Sequence, residues 1–282
     1  MICFLVHASH YRIQWVLRLG LVLLTGATAS AQTLLSGAEP APESDPDNAG
    51  QPATAQDLKA LTDPTILKRS VWLETEWNKY DGGIDGVEET LGGLWAWGLS
   101  SHLDLGLRLK IPYEWRTARG STQNGLGDLK PAGGTVFRLS PSWRVGIALE
   151  LRMPTAADHL GDRNWRLQEH VGTAWDATRW LTLGSYFEYN ESLAEVENAP
   201  PQNYLEAFFP VTFLLPHHWA ATAQYEVKAY FVNRTDQIQS AKLQITKQLN
   251  KPPLGFALSV KRPFDGGPKE FQVNFVVTYF FR

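Results

Sequence analysis

Apolar and polar residues alternate along the chain from Ser70 to its end. Every odd position from 103 to 111 is leucine or isoleucine, whereas the even positions from 102 to 110 carry His, Asp, Gly, Arg and Lys. The odd positions from 143 to 153 and from 271 to 281 are likewise apolar or aromatic. A period of two places alternate side chains on opposite faces of a β-strand. Runs of about ten or eleven residues fit a tilted strand that crosses a bilayer and are about twice as long as an average soluble strand.

This pattern predicts about twelve strands. They cover residues 70–79, 88–98, 102–112, 126–139, 143–153, 165–177, 180–190, 203–215, 219–231, 238–249, 254–262 and 270–281. An even number of strands with one aliphatic and one charged face predicts an all-β protein, a transmembrane antiparallel up-and-down β-barrel formed by residues 70–282. The rival fold is a soluble β-sandwich, which also alternates and also needs turns.

The predicted connections alternate between short and long. Short turns follow the even-numbered strands at 100–101, 140–142, 178–179, 216–218 and 250–253. Longer loops rich in Gly, Asp, Glu or Asn follow the odd-numbered strands at 81–87, 113–125, 154–164, 191–202, 233–237 and 263–269. Outer-membrane barrels have short periplasmic turns and longer external loops. The alternation therefore predicts that both ends of the barrel domain lie in the periplasm.

Aromatic residues form a second pattern on these strands. The short-turn ends carry Trp97, Trp143, Trp175, Trp180 and Trp219, and the long-loop ends carry Trp77, Trp115, Trp165 and Tyr189. Because Trp and Tyr concentrate at membrane–water interfaces, the two groups are predicted to form two aromatic girdles.

The first 31 residues have the features of a secretory signal peptide. Arg12 and Arg18 flank an apolar run at 19–24, and small residues lead to a cleavage site after Ala31. Residues 32–69 are predicted to form a periplasmic linker, because their first part is rich in Pro, Ala, Asp, Glu and Ser. The segment 56–68 fits either a short amphipathic helix or more linker.

Charge and cysteine content exclude several classes of function. The formal net charge is −3, and loss of the two leader arginines makes it −5. An acidic chain is a poor partner for nucleic acid. The only cysteine, Cys3, lies in the predicted leader, so we expect no disulfide, thiol nucleophile or thiolate metal site in the exported protein.

If the aliphatic face meets lipid, the opposite face lines the lumen and carries charges of both signs. The candidate lumen-lining residues are Glu74, Glu76, Asp104, Arg108, Lys110, Asp128, Lys130, Arg144, Glu150 and Arg152. Neighbouring strands can pair these charges into a salt-bridged interior that stabilises or plugs the barrel. The same charges can line a polar conduit that selects solutes. The sequence leaves both alternatives open.

The sequence favours no catalytic or metal site. Glu74 and Glu76 have the spacing of paired carboxylates, but no third catalytic group accompanies them. His170 lacks a serine motif to pair with. The adjacent His217 and His218 fit a turn better than a joint metal site. We therefore expect no catalytic residue, no metal and no cofactor.

Three segments stand out in sequence: Ile111-Pro112-Tyr113, Gly125-Leu126-Gly127-Asp128-Leu129 and Glu150-Leu151-Arg152-Met153-Pro154-Thr155. Their order and spacing resemble an outer-membrane family named for the MetA pathway of phenol degradation, within a likeness that covers mainly residues 70–282. The family's usual Leu-Pro-Thr-Gly appears here as Met153-Pro154-Thr155-Ala156. The resemblance implies a barrel that admits small, often aromatic or otherwise hydrophobic, molecules across the outer membrane.

Together these features predict a passive, non-enzymatic transporter or channel in the bacterial outer membrane, with a charged lumen that segment 56–68 could gate. The expected partners are outer-membrane lipid and lipopolysaccharide, the barrel assembly machinery and a small-molecule solute, with no nucleic acid. One alternative is a closed structural barrel without transport. Another is an integral outer-membrane hydrolase or acyltransferase, which would require His170 beside a serine and a carboxylate.

Overall fold

The structure, a computed structural model, describes residues 55–80, 84–118, 121–157, 160–161, 164–195, 202–231, 237–265 and 269–281. The predicted signal peptide and most of the predicted linker lie outside these residues. In the described part a short helix, α1 (Ala55–Ala60), precedes the strands. None of the described helices is long and apolar enough to cross a membrane.

Thirteen strands follow α1 in the described part of the chain. They are β1 (Ser70–Tyr80), β2 (Ile84–Ser100), β3 (Leu103–Ala118), β4 (Ser121–Leu126), β5 (Lys130–Ser140), β6 (Trp143–Arg152), β7 (Asn164–Thr178), β8 (Leu181–Glu195), β9 (Tyr204–Leu215), β10 (Trp219–Tyr230), β11 (Gln237–Gln248), β12 (Leu254–Asp265) and β13 (Lys269–Phe280). A 3-10 helix, Pro216–His218, joins β9 to β10.

The strands close into a ring. Each pairs antiparallel with its neighbours, and the ring closes because β1 pairs with both β2 and β13. Its order is β1, β2, β3, β5 and then β6 to β13, so it contains twelve strands. The predicted antiparallel β-barrel of about twelve strands is confirmed.

The fourth predicted strand, 126–139, is divided in the structure. β4 continues the hairpin from β3 and ends at Leu126, whereas β5 begins at Lys130 and pairs with the first half of β3. Residues 127–129 bond elsewhere: Gly127 N–H donates to Pro112 O, and Leu129 N–H donates to Thr155 Oγ1, each at 2.9 Å. Gly127 thus still bonds to β3, whereas the loop after β6 occupies the donor of Leu129 and interrupts the strand there.

Several strands also extend further than the alternation predicts, by the largest amounts at the side of the longer loops. β2 begins at Ile84, β3 continues to Ala118 and β8 continues to Glu195. Parts of the predicted loops therefore continue the antiparallel ladder, in which backbone donors and acceptors keep satisfying one another.

The two ends of the barrel differ. Ser70 pairs with Phe280, so the barrel domain starts and finishes at the end where the short connections lie, which we call the turn end. The opposite end, with the longer connections, is the loop end. At the turn end His217 and His218 both have positive φ, 58° and 61°, so they follow the turn and not the alternation of a strand.

Burial is inverted relative to a soluble protein. Large apolar side chains on the outer face are exposed, for example Leu243 at 66% and Leu149 at 55%, whereas Thr246 on the inner face is fully buried. Exposed apolar surface of this extent marks an interface with a membrane or a partner. Its distribution around the ring fits a lipid-facing outer surface and a polar lumen.

Candidate functional site

The candidate site is the lumen, and nearly all residues predicted to line it lie on the inner face of the ring. Glu74, Glu76, Asp104, Arg108, Lys110, Lys130, Arg144, Glu150 and Arg152 occupy strand positions that alternate with the exposed apolar residues. Asp128 has a different position, between β4 and β5. It is 1% exposed, and its Oδ1 accepts a hydrogen bond of 3.2 Å from Ala156 N–H.

Many inner-face charges form ion pairs, some between neighbouring strands and others across one intervening strand, as between β3 and β6 or between β2 and β5. The pairs include Arg108–Glu150 at 2.5 Å, Lys228–Glu206 at 2.8 Å, Lys130–Glu88 at 3.4 Å and Lys269–Glu76 at 3.6 Å. Amide side chains complete this network. Gln272 donates to Glu76 at 2.7 Å and Asn274 donates to Glu74 at 2.5 Å. The inner face of the wall is therefore polar, and its side chains are connected by many ion pairs and hydrogen bonds.

Residues 55–69, which we call the lumen segment, cross the interior near the turn end. Leu61 packs against Gly255 on β12, and Thr65 Cγ2 lies 3.6 Å from the position of a Cβ at Gly146 on β6. In the ring, five strands separate β6 from β12 in either direction, so these two strands face each other. The lumen segment therefore spans the full width of the lumen.

Glycines on the inner face make room for this segment. A Cβ at position 255 would overlap the side chain of Leu61, and one at position 106 would lie 3.0 Å from Leu67 Cδ1. At these places the wall approaches the segment so closely that a side chain would displace it. The sequence pattern already placed Gly106 and Gly146 on the charged face, but it gave no reason for their small size.

A buried ion pair holds the lumen segment to the wall. Asp63 is 4% exposed, and its Oδ2 accepts a hydrogen bond of 2.9 Å from Arg144 Nη2. Arg144 Nη1 also pairs with Asp176 Oδ2 at 2.9 Å, and Lys59 Nζ of the segment pairs with the same oxygen at 2.8 Å. The four charges alternate in sign, so each cation contacts a carboxylate and neither carboxylate lacks a cation.

Two hydroxyl groups complete this anchor. Tyr186 on β8 donates to Asp63 Oδ1 at 3.1 Å, and Arg144 Nε donates to Thr65 Oγ1 at 3.2 Å. The ring of Tyr186 lies against Gly172 on β7, where a Cβ would overlap it. The anchor therefore joins the segment to three consecutive strands, β6, β7 and β8.

Arg144 is a candidate from the sequence pattern, whereas Asp63 and Tyr186 are not. Asp63 is an isolated acid in a segment that the sequence assigned to linker or a short helix. The available signal was indirect: small residues on the inner face at 106 and 146 mark places where another part of the chain approaches.

A second cluster joins the segments that carry the family resemblance. Met153 N–H donates to Leu129 O at 2.9 Å, and Ala157 N–H donates to Leu126 O at 2.9 Å. Together with the bonds of Gly127, Leu129 and Asp128 described above, they hold the loop after β6 against the gap between β4 and β5. These segments therefore shape the loop end of the barrel.

The arrangement around His170 bears on the hydrolase alternative. Its cross-strand neighbours are Ala148 on β6 and Glu188 on β8, and its Nδ1 lies 3.5 Å from Glu188 Oε2. A carboxylate is thus present, but neither of the two neighbouring positions holds the serine that this alternative requires.

Comparison with known proteins identifies the fold of this chain. No model of a known protein family matches the chain, and no curated protein matches it. Among solved structures, the COG4313 outer membrane channel from Pseudomonas putida F1 matches with a TM-score of 0.63 at 12% identity, over 85% of this chain and 100% of that chain. The CymD monoaromatic hydrocarbon channel matches with a TM-score of 0.53 at 8% identity, over 83% of this chain and 95% of that chain.

The NanC porin also matches, with a TM-score of 0.50 at 11% identity, over 76% of this chain and 99% of that chain. At such identities the likeness concerns the fold. The closed ring, the apolar outer face and the polar lumen define a transmembrane antiparallel β-barrel with the fold of bacterial outer-membrane barrels.

Proposed function

We propose that this protein is a passive outer-membrane channel for small molecules, closed at its turn end by the lumen segment. The observation that carries the proposal is that the lumen accommodates fifteen residues of the chain, 55–69, across its full width. An eight-stranded barrel is just filled by its own wall side chains. A twelve-stranded ring that still holds a peptide segment has room for a solute once that segment moves.

The anchor of the lumen segment suits a gate. It consists of ion pairs and hydrogen bonds, which exchange with water more readily than a large apolar contact does. The segment also has apolar contacts: Leu61 and Leu67 lie against glycines of the wall, and Leu58 is buried. The turn end faces the periplasm in barrels of this class, so the gate controls release into the periplasm.

The solutes that we propose are small, and the family resemblance favours aromatic or otherwise hydrophobic ones. The fold of the CymD monoaromatic hydrocarbon channel agrees with this choice at the level of architecture. The other proposed partners are outer-membrane lipid and lipopolysaccharide on the apolar outer face and the barrel assembly machinery during insertion.

A closed structural barrel is the second candidate function. The ion-paired wall and the anchored segment favour it, because both features also stabilise a barrel that never opens. Electrical conductance separates the two functions. A channel gives discrete openings in a planar bilayer, whereas a permanently closed barrel inserts without conductance.

The test begins with folded protein in outer membranes. Unheated samples should migrate faster than heated samples on a detergent gel, because a closed barrel stays compact in detergent. Protein that passes this check is reconstituted into liposomes, which should swell in solutions of small neutral sugars. Folded protein that leaves the liposomes as tight as protein-free liposomes would contradict the channel function.

A further inference from the structure

The register of four neighbouring strands places four cationic side chains side by side on the inner wall. Lys110 on β3 pairs with Lys130 on β5, and Arg152 on β6 pairs with Arg166 on β7. The β5–β6 ladder pairs Ala132 with Glu150 and continues to a bridge between Leu129 and Met153. This register puts Lys130 opposite Arg152. We call Lys110, Lys130, Arg152 and Arg166 the basic row.

The basic row covers one third of the ring near the loop end. Neighbouring strands lie about 4.8 Å apart, so the row extends over about 15 Å of the wall. Along β6, Arg152 is eight positions from Arg144, about 27 Å of strand. The row and the anchor of the lumen segment therefore occupy opposite ends of the lumen.

The row extends like charge over four consecutive strands, whereas other runs of like charge on the described wall are shorter, for example Glu76–Glu88–Glu114 on three strands and Lys242–Lys261 on two. Like charges directly opposite each other on adjacent strands destabilise a sheet. Elsewhere the register pairs Glu206 with Lys228, and their side chains form an ion pair at 2.8 Å. An arrangement with a cost to folding points to a role that depends on the positive charge.

Lys110 is the member of the row that is available to a ligand. Within the described part of the chain its ammonium group forms no hydrogen bond and no ion pair, whereas Lys130 contacts Glu88 at 3.4 Å. Arg108, two residues before Lys110 on the same face, is engaged by Glu150 at 2.5 Å. An incoming anion can therefore pair with Lys110 without breaking a direct ion pair, in competition with the carboxylates of Glu74 and Glu150, which interact with the Lys110 charge from a greater distance.

Acidic residues form a neighbouring row, Glu76, Glu88 and Glu114 on β1, β2 and β3. Each of these acids lies near a cation: Lys269 at 3.6 Å, Lys130 at 3.4 Å and Arg116 at 3.8 Å respectively. Each carboxylate of the acidic row thus has a cation within ion-pair distance. In the basic row, the ammonium group of Lys110 has no direct ion-pair partner among the described residues.

From this geometry we infer that the lumen selects small organic anions, with Lys110 as their principal contact. The inference rests on the proposed channel function and narrows its solute class from small molecules to anionic ones, such as carboxylates and sulfonates. A solute with an aromatic ring agrees with the family resemblance, and the anionic group of that solute pairs with the cations of the basic row. Four adjacent cations raise the local concentration of anions at the mouth and thereby increase their entry rate.

Ion selectivity in planar bilayers tests the inference. With the full chain in a potassium chloride gradient, the reversal potential should shift toward the chloride equilibrium, and it should keep this sign when benzenesulfonate replaces chloride. Lys110→Gln should lower the anion-to-cation permeability ratio at least about twofold, and Lys110→Glu should lower it further. Both variants remove like-charge repulsion, so they should keep the heat-dependent gel shift.

The control is Lys261→Gln, which removes the same charge from a wall position that pairs with Glu226, outside the row. It should change the ratio much less than Lys110→Gln does. An equal change in both variants, or a cation-selective parent channel, would overturn the inference and leave the channel function intact. A complete lack of conductance, also in a variant without residues 55–68, would overturn the channel function and this inference with it.

Discussion

Asp63 and Arg144 are separated by 81 positions in the chain, yet Arg144 Nη2 donates a hydrogen bond of 2.9 Å to Asp63 Oδ2 inside the barrel. This contact fixes the lumen segment to β6. Because both side chains are buried, the pair is shielded from the solvent that weakens ion pairs at the surface.

Loss of the Asp63 charge should open the channel. Asp63→Asn weakens a hydrogen bond between buried charged groups, which is worth about 1.5–3 kcal/mol, so the ratio of closed to open states should fall about tenfold or more. Single-channel recordings measure this ratio as open probability. Glu206→Gln is the matched control, because it breaks a lumen ion pair that does not contact the segment. Equal open probabilities in the Asp63 variant and the control would exclude the anchor as a gate.

Alanine substitutions at two wall glycines distinguish steric displacement of the lumen segment from a general effect of mutation. Gly255→Ala should displace Leu61, because the new methyl group would overlap it, whereas Gly146→Ala meets Thr65 at an ordinary contact distance of 3.6 Å. The first variant should raise conductance and the second should leave it close to that of the parent. The prediction fails if both alanines have the same effect.

The hydrogen bonds that hold the loop after β6 against the gap between β4 and β5, which we call the loop cluster, should contribute to stability. Asp128 is buried and accepts a hydrogen bond from Ala156 N–H, so Asp128→Ala should reduce the free energy of unfolding by about 1.5–3 kcal/mol. Urea unfolding in detergent micelles, followed by tryptophan fluorescence, measures the change. Glu270→Ala removes a carboxylate from an exposed pair with Lys79 and should have a much smaller effect. Equal losses in the two variants would argue against the loop cluster.

Thiol chemistry can map the two faces of a strand. The only native cysteine is Cys3, so single cysteines can be introduced into the barrel domain. In liposomes, Lys242→Cys should react with a charged, water-soluble thiol reagent, whereas the adjacent Leu243→Cys should react only with a lipid-soluble one. The expected difference follows from the alternation of inner and outer faces. Reaction of both positions with the charged reagent would contradict a lipid-facing β11.

The alternation of residues 103–111 was sufficient to predict the barrel wall. Each apolar residue in such a run must face lipid and each charged residue must face inward, so local sequence decides orientation. The same pattern placed Arg144 on the inner face. It also yielded twelve strands, because the interruption at 127–129 removes no strand from the ring.

The partners of the inner residues could not be predicted in the same way. Lys110 and Lys130 meet because β5 begins at Lys130, after the interruption at 127–129, and the alternation does not indicate this interruption. Arg152 meets Arg166 after a loop whose length does not determine the register. Asp63 meets Arg144 because the segment before the barrel folds back into it, and a single aspartate carries no periodic signal.

The most direct test of a channel gated by its own lumen segment compares two proteins in planar bilayers: the full chain and a variant that lacks residues 55–68. We expect the full chain to be mostly closed, with brief openings, and the deletion variant to stay open with a larger conductance. Identical conductance in the two proteins, once both show the heat-dependent gel shift of a folded barrel, would contradict this expectation.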